Sequence, residues 1–260
     1  MVFGEHLLIT AITVSVAFLF VFYAYLIRKI NTAALIGTTT LGIIILLLFG
    51  LKFGYVGLIA LFTFFLFGNL ATRYKYDKKV MLGVAESNKG MRGMSNVLGN
   101  GFSALIFAML YAVSSQNHHT LFLIGFSGSV ATACADTFST EIGQAEGNPR
   151  LITTFKKVPV GTSGGVSLPG FGAALLGSAL ISLVCLAFVS SNAGTQIIAS
   201  FFLICLLSGF LGCIADSIYG ATIEDRNPLK LNKHHVNILA TLSGGIIAIV
   251  LGHSLGLRIV

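Results

Sequence analysis

Charge is what this sequence has least of. Only 10% of its 260 residues are charged, against 55% hydrophobic, where a soluble domain carries about a quarter charged residues. Mean hydropathy is +0.90. That scarcity excludes a water-soluble fold and makes the chain an integral membrane protein. Ten-residue segments of period-two alternation are also missing, which excludes a membrane barrel. The apolar residues come in long runs, and in lipid a helix satisfies its own backbone. Ahead of the first run there is no basic stretch, only Glu5 and His6, and no small-x-small cleavage site follows. The run from about Leu7 to Ile27 is therefore expected to be retained as a helix. The four cysteines (Cys134, Cys185, Cys205, Cys213) have no C-x-x-C spacing and read as small buried apolar residues.

The expected fold is all-α: a polytopic membrane helical bundle with about eight transmembrane helices. The apolar runs lie near 5–27, 33–51, 54–70, 96–115, 120–136, 167–190, 194–217 and 235–256. The chain forms one integral membrane domain over 1–260. Residues 1–70 give three N-terminal spans, and 71–260 carry the catalytic spans and loops.

The net charge of +7 is read as topology rather than as nucleic-acid binding. Fourteen of the sixteen Lys and Arg fall in the loops after the first, third, fifth and seventh runs; only Lys52 and Arg258 fall on the other side. The positive-inside rule puts those loops in the cytoplasm and both termini outside. In a prokaryote the membrane would be the cell membrane. Eight of the nine acids lie at or near the same face, Glu5 being the exception. Orientation rules take little notice of acids, so this clustering has its own reason. All four prolines (Pro149, Pro159, Pro169, Pro228) sit in or beside those loops, so the loop after the fifth run is shaped.

Two stretches repeat at an offset of eighty residues. Ala135-Asp136-Thr137 matches Ala215-Asp216-Ser217, and Ser163-Gly164-Gly165 matches Ser243-Gly244-Gly245. This reads as a duplicated helical hairpin, of the kind that builds one site at its interface.

Asp136 and Asp216 end apolar runs, and an ionisable group at membrane depth marks a functional site. On a helix Thr140 shares a face with Asp136, while Glu141 lies about 140° away. Asp216, Gly220 and Glu224 form a comparable stripe. A salt bridge to a loop cation is the bland account of each acid, and the stronger one for Glu146, Asp225 and Asp77. A carboxylate pair with no His or Cys cluster suits Mg²⁺, which takes one or two carboxylates and leaves its other positions to water and phosphates.

The second element, Arg150 to Gly170, joins Arg150, Lys156 and Lys157 to Gly161-Thr162-Ser163-Gly164-Gly165. A Gly-rich turn, two hydroxyls and a helix N-terminus make an anion site, and the cations would neutralise phosphates. No Gly-Lys-Ser/Thr follows, so it is not a Walker motif. The third element, Gly83 to Asn100, carries Glu86, Asn88, Lys89, Arg92 and Asn96. Lys89 and Arg92 suit a lipid phosphate, with Glu86 or Asn96 nearer the metal. The fourth is Lys233-His234-His235-Val236-Asn237 before the last run, whose adjacent histidines do not support a metal site.

Together, "ADTFSTEIG", "PRLITTFKKVPVGTSGGVSLPG", "NKGMRGMSNVLGNG", "ADSIYGATIE" and "HHVNILATLSGG" resemble the phytyl-phosphate kinase family of the vitamin E pathway, which includes the transmembrane-protein-19 group. The resemblance runs from about residue 65 to the C-terminus. More distantly the pattern is similar to CTP-dependent dolichol kinases and CDP-diacylglycerol synthases. The resemblance implies Mg²⁺-dependent transfer of a phosphoryl group from CTP, or another nucleoside triphosphate, to an isoprenyl monophosphate. By that resemblance Asp136 and Asp216 would hold Mg²⁺, with Glu141 helping, and Lys156 would join them in catalysis. Arg150, Lys157, Thr162, Ser163, Gly164 and Gly165 would hold the nucleotide, with Thr137, Thr140, Ser217, Lys233 and Asn237 around it. Lys89 and Arg92 would hold the acceptor phosphate, Glu86, Asn88 and Asn96 would join the substrate and nucleotide site around them, and the tail would lie between spans. The partners are the bilayer, an isoprenoid lipid phosphate and the nucleotide; a homodimer is left open. Attack at the α-phosphate, giving a CDP-lipid, uses the same parts. A lipid or anion transporter would want polar groups through the bilayer rather than at one face, and a purely structural role leaves the acid pair unexplained.

Overall fold

The structure is a computed structural model that describes residues 2–86, 90–225 and 231–259. Among them, seven helices are long and apolar enough to cross a membrane. They are α1 (Val2–Leu26), α2 (Thr32–Arg73), α4 (Met94–Val113), α5 (His119–Glu146), α6 (Leu168–Cys185), α7 (Thr195–Thr222) and α8 (Lys233–Ser254); a short α3 (Tyr76–Met81) follows α2. The bundle is all-α apart from a two-stranded antiparallel hairpin, β1 (Arg150–Leu151) and β2 (Gly165–Val166).

Seven helices supply the eight expected crossings because α2 is two arms. Its 42 residues would be about 63 Å long if straight, twice a hydrocarbon core of about 30 Å. At Gly50 the backbone leaves the helix, with φ 65° and ψ −173°, a combination open essentially to glycine alone. The arms then fold against each other. A Cβ on Gly54 would lie 2.6 Å from the Leu46 carbonyl oxygen, and one on Gly57 2.9 Å from Ile45 Cγ2. The runs near 33–51 and 54–70 are therefore separate crossings joined by a turn with almost no loop.

α5 is the central helix. It packs against α2, α4, α6, α7 and α8. Small residues allow the approach: a Cβ on Gly177 of α6 would lie 2.8 Å from the Cys134 carbonyl, and one on Gly209 of α7 2.8 Å from Ala131 Cβ. Without water to drive helices together in lipid, such close backbone contact is how they associate. At the end near Gly50, Phe49 packs edge-on against Tyr111, Phe126 and Phe188 at 5.1, 5.0 and 5.7 Å. All four cysteines are buried and free.

The repeat holds in its first half only. Asp136 and Asp216 sit near the same end of two 28-residue helices, α5 and α7. The two Ser-Gly-Gly stretches do different work. Gly164 has φ 76° and turns a loop. Gly244 and Gly245 lie inside α8, where a Cβ on Gly245 would lie 2.8 Å from the Gly125 carbonyl. The same three residues make a turn in one unit and a helix contact in the other.

Candidate active site at the polar end of the bundle

α5 and α7 bring the carboxyls of Asp136 and Asp216 within hydrogen-bonding reach of each other. Oδ1 of Asp216 is buried without a partner. Carboxylates only accept hydrogen bonds, so two that face each other call for a proton or a cation between them. This pair fits Mg²⁺. Among the described residues no group of three His, Cys, Asp or Glu is placed to hold a metal, so a bound ion would complete its shell with water and phosphate oxygens.

Two polar pockets meet at Asp136, Thr140 and Lys233. The larger, about 230 Å³, runs from Asp216, Ser217, Gly220 and Glu224 to the loop of Gly161, Thr162, Ser163, Gly164 and Gly165. That loop is strapped down by the β hairpin and lies on α7: a Cβ on Gly220 would stand 3.0 Å from the Gly164 nitrogen. Among the described residues the amides of Ser163 and Gly164 donate to no acceptor in the protein, as an anion-binding turn requires. Burial pushes the Glu224 carboxyl above its ordinary value, against a hydrogen bond with Ser163 that lowers it.

The smaller pocket, about 30 Å³, is lined by Glu86, Arg92, Asn96, Asn100, Asp136, Thr137, Glu141 and Asn237. Arg92 is fixed by its backbone, whose amide donates to Lys29 O at 2.9 Å and whose carbonyl accepts from Asn31 N at 3.2 Å. Its guanidinium lies over the Phe64 ring, 5.8 Å from the centroid. Nη2 would be 3.2 Å from a Cβ on Gly68, so that glycine leaves it room. Beyond Arg92, Asn96 and Asn100 the pocket meets an apolar groove of about 200 Å³ between α1, α2 and α4.

Several expectations are corrected. Glu141 is not a free metal ligand: Lys79 Nζ donates to its Oε2, and Thr72 Oγ1 lies 3.0 Å from its Oε1. Arg150, Lys156 and Lys157 are exposed and line neither polar pocket. Arg150 reaches back across the strap to donate to the Phe155 carbonyl at 2.8 Å, and Lys157 bridges opposite Arg150. The cations at the pockets are Lys233 and Arg92 instead. Asn88 and Lys89 lie outside the described residues, as do Arg226, Pro228 and Lys230. Glu146 does form its salt bridge, to Lys75, and accepts from Tyr74 Oη at 2.9 Å. His235 serves the Asn232 capping box at the start of α8 rather than a metal.

Two contributors escaped the sequence reading. Asn100 stands one turn after Asn96, and that i, i+4 spacing was the available signal. Lys79 had none: it is one of six cations in its loop, and its partner is 62 residues away.

The family described as Integral membrane protein DUF92 matches residues 15–245, which extends the likeness into the N-terminal spans. An uncharacterised membrane protein of Methanocaldococcus jannaschii is 35% identical over 227 residues, 86% of each chain. Protein VTE6, chloroplastic, of Arabidopsis thaliana is 37% identical over 203 residues, 76% of this chain and 59% of that protein. The chain thus spans about three fifths of the plant protein. Protein PGR of the same plant is 34% identical over 181 residues, 63% of each. No solved structure matches the chain.

Proposed function

The chain belongs to the integral membrane protein family DUF92, and we propose that it transfers a phosphoryl group from a nucleoside triphosphate, CTP in the first instance, to an isoprenyl monophosphate held in the membrane. One observation carries this reading. Asp136, whose carboxyl faces that of Asp216, lies where two polar pockets meet, one walled by a Gly-rich loop and the other by Arg92. Phosphoryl transfer needs two phosphates brought together with their charge neutralised, and little else. The motif resemblance to phytyl-phosphate kinases supports the acceptor class.

The amides of Ser163 and Gly164 bind the triphosphate in the larger pocket, and the hydroxyls of Thr162 and Ser217 line it while donating to the Pro159 and Cys213 carbonyls. Arg92, aided by Asn96 and Asn100, orients the acceptor phosphate in the smaller one. Lys233, shared by both, neutralises charge between them. Asp136 and Asp216 would hold Mg²⁺, which would supply the remaining neutralisation of the phosphate oxygens. An acceptor oxygen forms a bond to the γ-phosphorus as the β–γ bridging bond breaks, and the nucleoside diphosphate leaves with that electron pair. A phosphomonoester is already largely ionised at neutral pH, so no side chain has to remove a proton.

The test is direct. Purified protein in detergent is incubated with geranylgeranyl or phytyl monophosphate, Mg²⁺ and each nucleoside triphosphate, and products are weighed by mass spectrometry. The lipid diphosphate and a nucleoside diphosphate are expected. No turnover with any nucleotide overturns the reading, and a CDP-lipid with pyrophosphate moves the attack to the α-phosphate. Asp136→Asn and Asp216→Asn each bring turnover to background, with a melting temperature equal to or above the parent's, because each removes one of two facing carboxylates. Normal turnover in either variant removes the metal assignment.

A further inference from the structure

The apolar groove is built for more than general lipid contact. Val14 and Val21 of α1, Leu46 and Leu58 of the two α2 arms and Val97 of α4 wall it with hydrocarbon. Its lining turns polar along α4 and just before it, at Arg92, Asn96 and Asn100, the residues that also line the small pocket beside Asp136, with Arg92 outermost. Among the described residues Arg92 forms no salt bridge, and Glu141 beside it is bound to Lys79 and Thr72. A cation at the head of an apolar slot is complementary to an amphiphile with a single anionic head.

The slot is short and narrow. Along the first α2 arm its lining runs from Thr38 to Leu46, about 12 Å of helix rise, under half of a hydrocarbon core of about 30 Å. Its volume of about 200 Å³ is below the roughly 300–1,000 Å³ of pockets that take drug-sized ligands. One hydrocarbon chain fits; a diacyl lipid does not. Gly42 and Leu58 meet toward its deep end, where a Cβ on Gly42 would lie 3.2 Å from Leu58 Cδ1. The two arms are already in contact there, so Leu58 closes the slot and a larger residue at 42 would push it inward.

We propose that this groove seats the single hydrocarbon chain of a lipid phosphomonoester, with the phosphate on Arg92, and that Gly42 and Leu58 set the chain length it accepts. The chain-length readout rests on the reaction proposed above; the binding does not.

Two measurements test it. In turnover assays, Gly42→Leu raises KM for geranyl monophosphate about tenfold, the scale on which one or two methylenes matter in an apolar pocket. It leaves KM for dimethylallyl monophosphate and both kcat values unchanged. Leu58→Ala, which deepens the slot, lowers KM for the longer acceptor. Equal KM changes for both acceptors overturn the length role. In the second measurement, geranyl monophosphate bearing a diazirine at its tail end is photolysed with the protein in detergent without nucleotide. Labelled peptides are expected around Val14, Leu46 and Leu58. Labelling elsewhere with normal turnover overturns the groove and leaves the reaction standing. Labelling in the groove with no turnover by any nucleotide keeps the groove and overturns the reaction.

Discussion

Lys79 has none of its surface exposed, yet it ends in an ammonium group. Nζ bonds Glu141 Oε2 and the Thr72 carbonyl at 2.9 Å, and the Ala71 carbonyl lies at 3.5 Å. Thr72 in turn places its hydroxyl 3.4 Å from Arg92 Nη2. The cluster ties α2, α3 and α5 together directly behind the guanidinium assigned to the acceptor phosphate. Breaking a buried pair from one side strands a charge, at about 3–5 kcal/mol, whereas replacing both partners with apolar groups is often close to neutral. Lys79→Met should therefore lower the melting temperature sharply in detergent, and Lys79→Met with Glu141→Leu should restore most of it; equal losses in the two proteins would remove the pairing argument. The contrast with Asp136 and Asp216 explains what could be read in advance. Those two stand out because each interrupts an apolar run at the same place in a repeated phrase. Glu141 carries as much charge, but its meaning depends on a lysine that has no sequence feature to set it apart from Lys78.

Helices supply the next scale, and α2 is the informative one. Hydropathy separates its two arms because Gly50, Lys52 and Gly54 thin the apolar run between them. What hydropathy cannot give is that the connection is a single non-helical residue. Gly50→Ala forces a side chain onto φ 65°, ψ −173°, at a cost of about 1–3 kcal/mol. Gly172→Ala is the control: nothing lies within 4 Å of a Cβ there, and alanine favours a helix interior over glycine by up to about 1 kcal/mol. Thermal unfolding should fall for the first and hold or rise for the second. The strap between α5 and α6 shows the opposite limit of sequence reading. Its Gly-rich half lines the pocket as the pattern implied, while its basic half faces outward. Side-chain direction in a loop follows local pairing, here Arg150 across from Lys157 and Val166, and composition does not encode it.

At the level of the whole molecule, the Asp pair, the strap and Arg92 gather at one end, and the aromatic cluster of Phe49, Tyr111, Phe126 and Phe188 closes the other. By the positive-inside rule, the distribution of Lys and Arg predicts that the polar end faces the cytoplasm. The four native cysteines are buried, so an introduced thiol gives a clean signal. Lys156→Cys should react with a membrane-impermeant maleimide only in inverted vesicles, and His118→Cys only from the outer side; the reverse pattern would invert the topology. The division of labour between the two Ser-Gly-Gly stretches has a consequence for how such a centre becomes directional. Two equivalent hairpins would offer two equivalent anion loops, and nothing would distinguish giver from receiver. Because one copy locks α8 to α5, the likeness between the two units is confined to the paired aspartates. The two sides of that pair therefore differ, with a Gly-rich loop on one and Arg92 on the other, so two different phosphate groups can be told apart by where they bind.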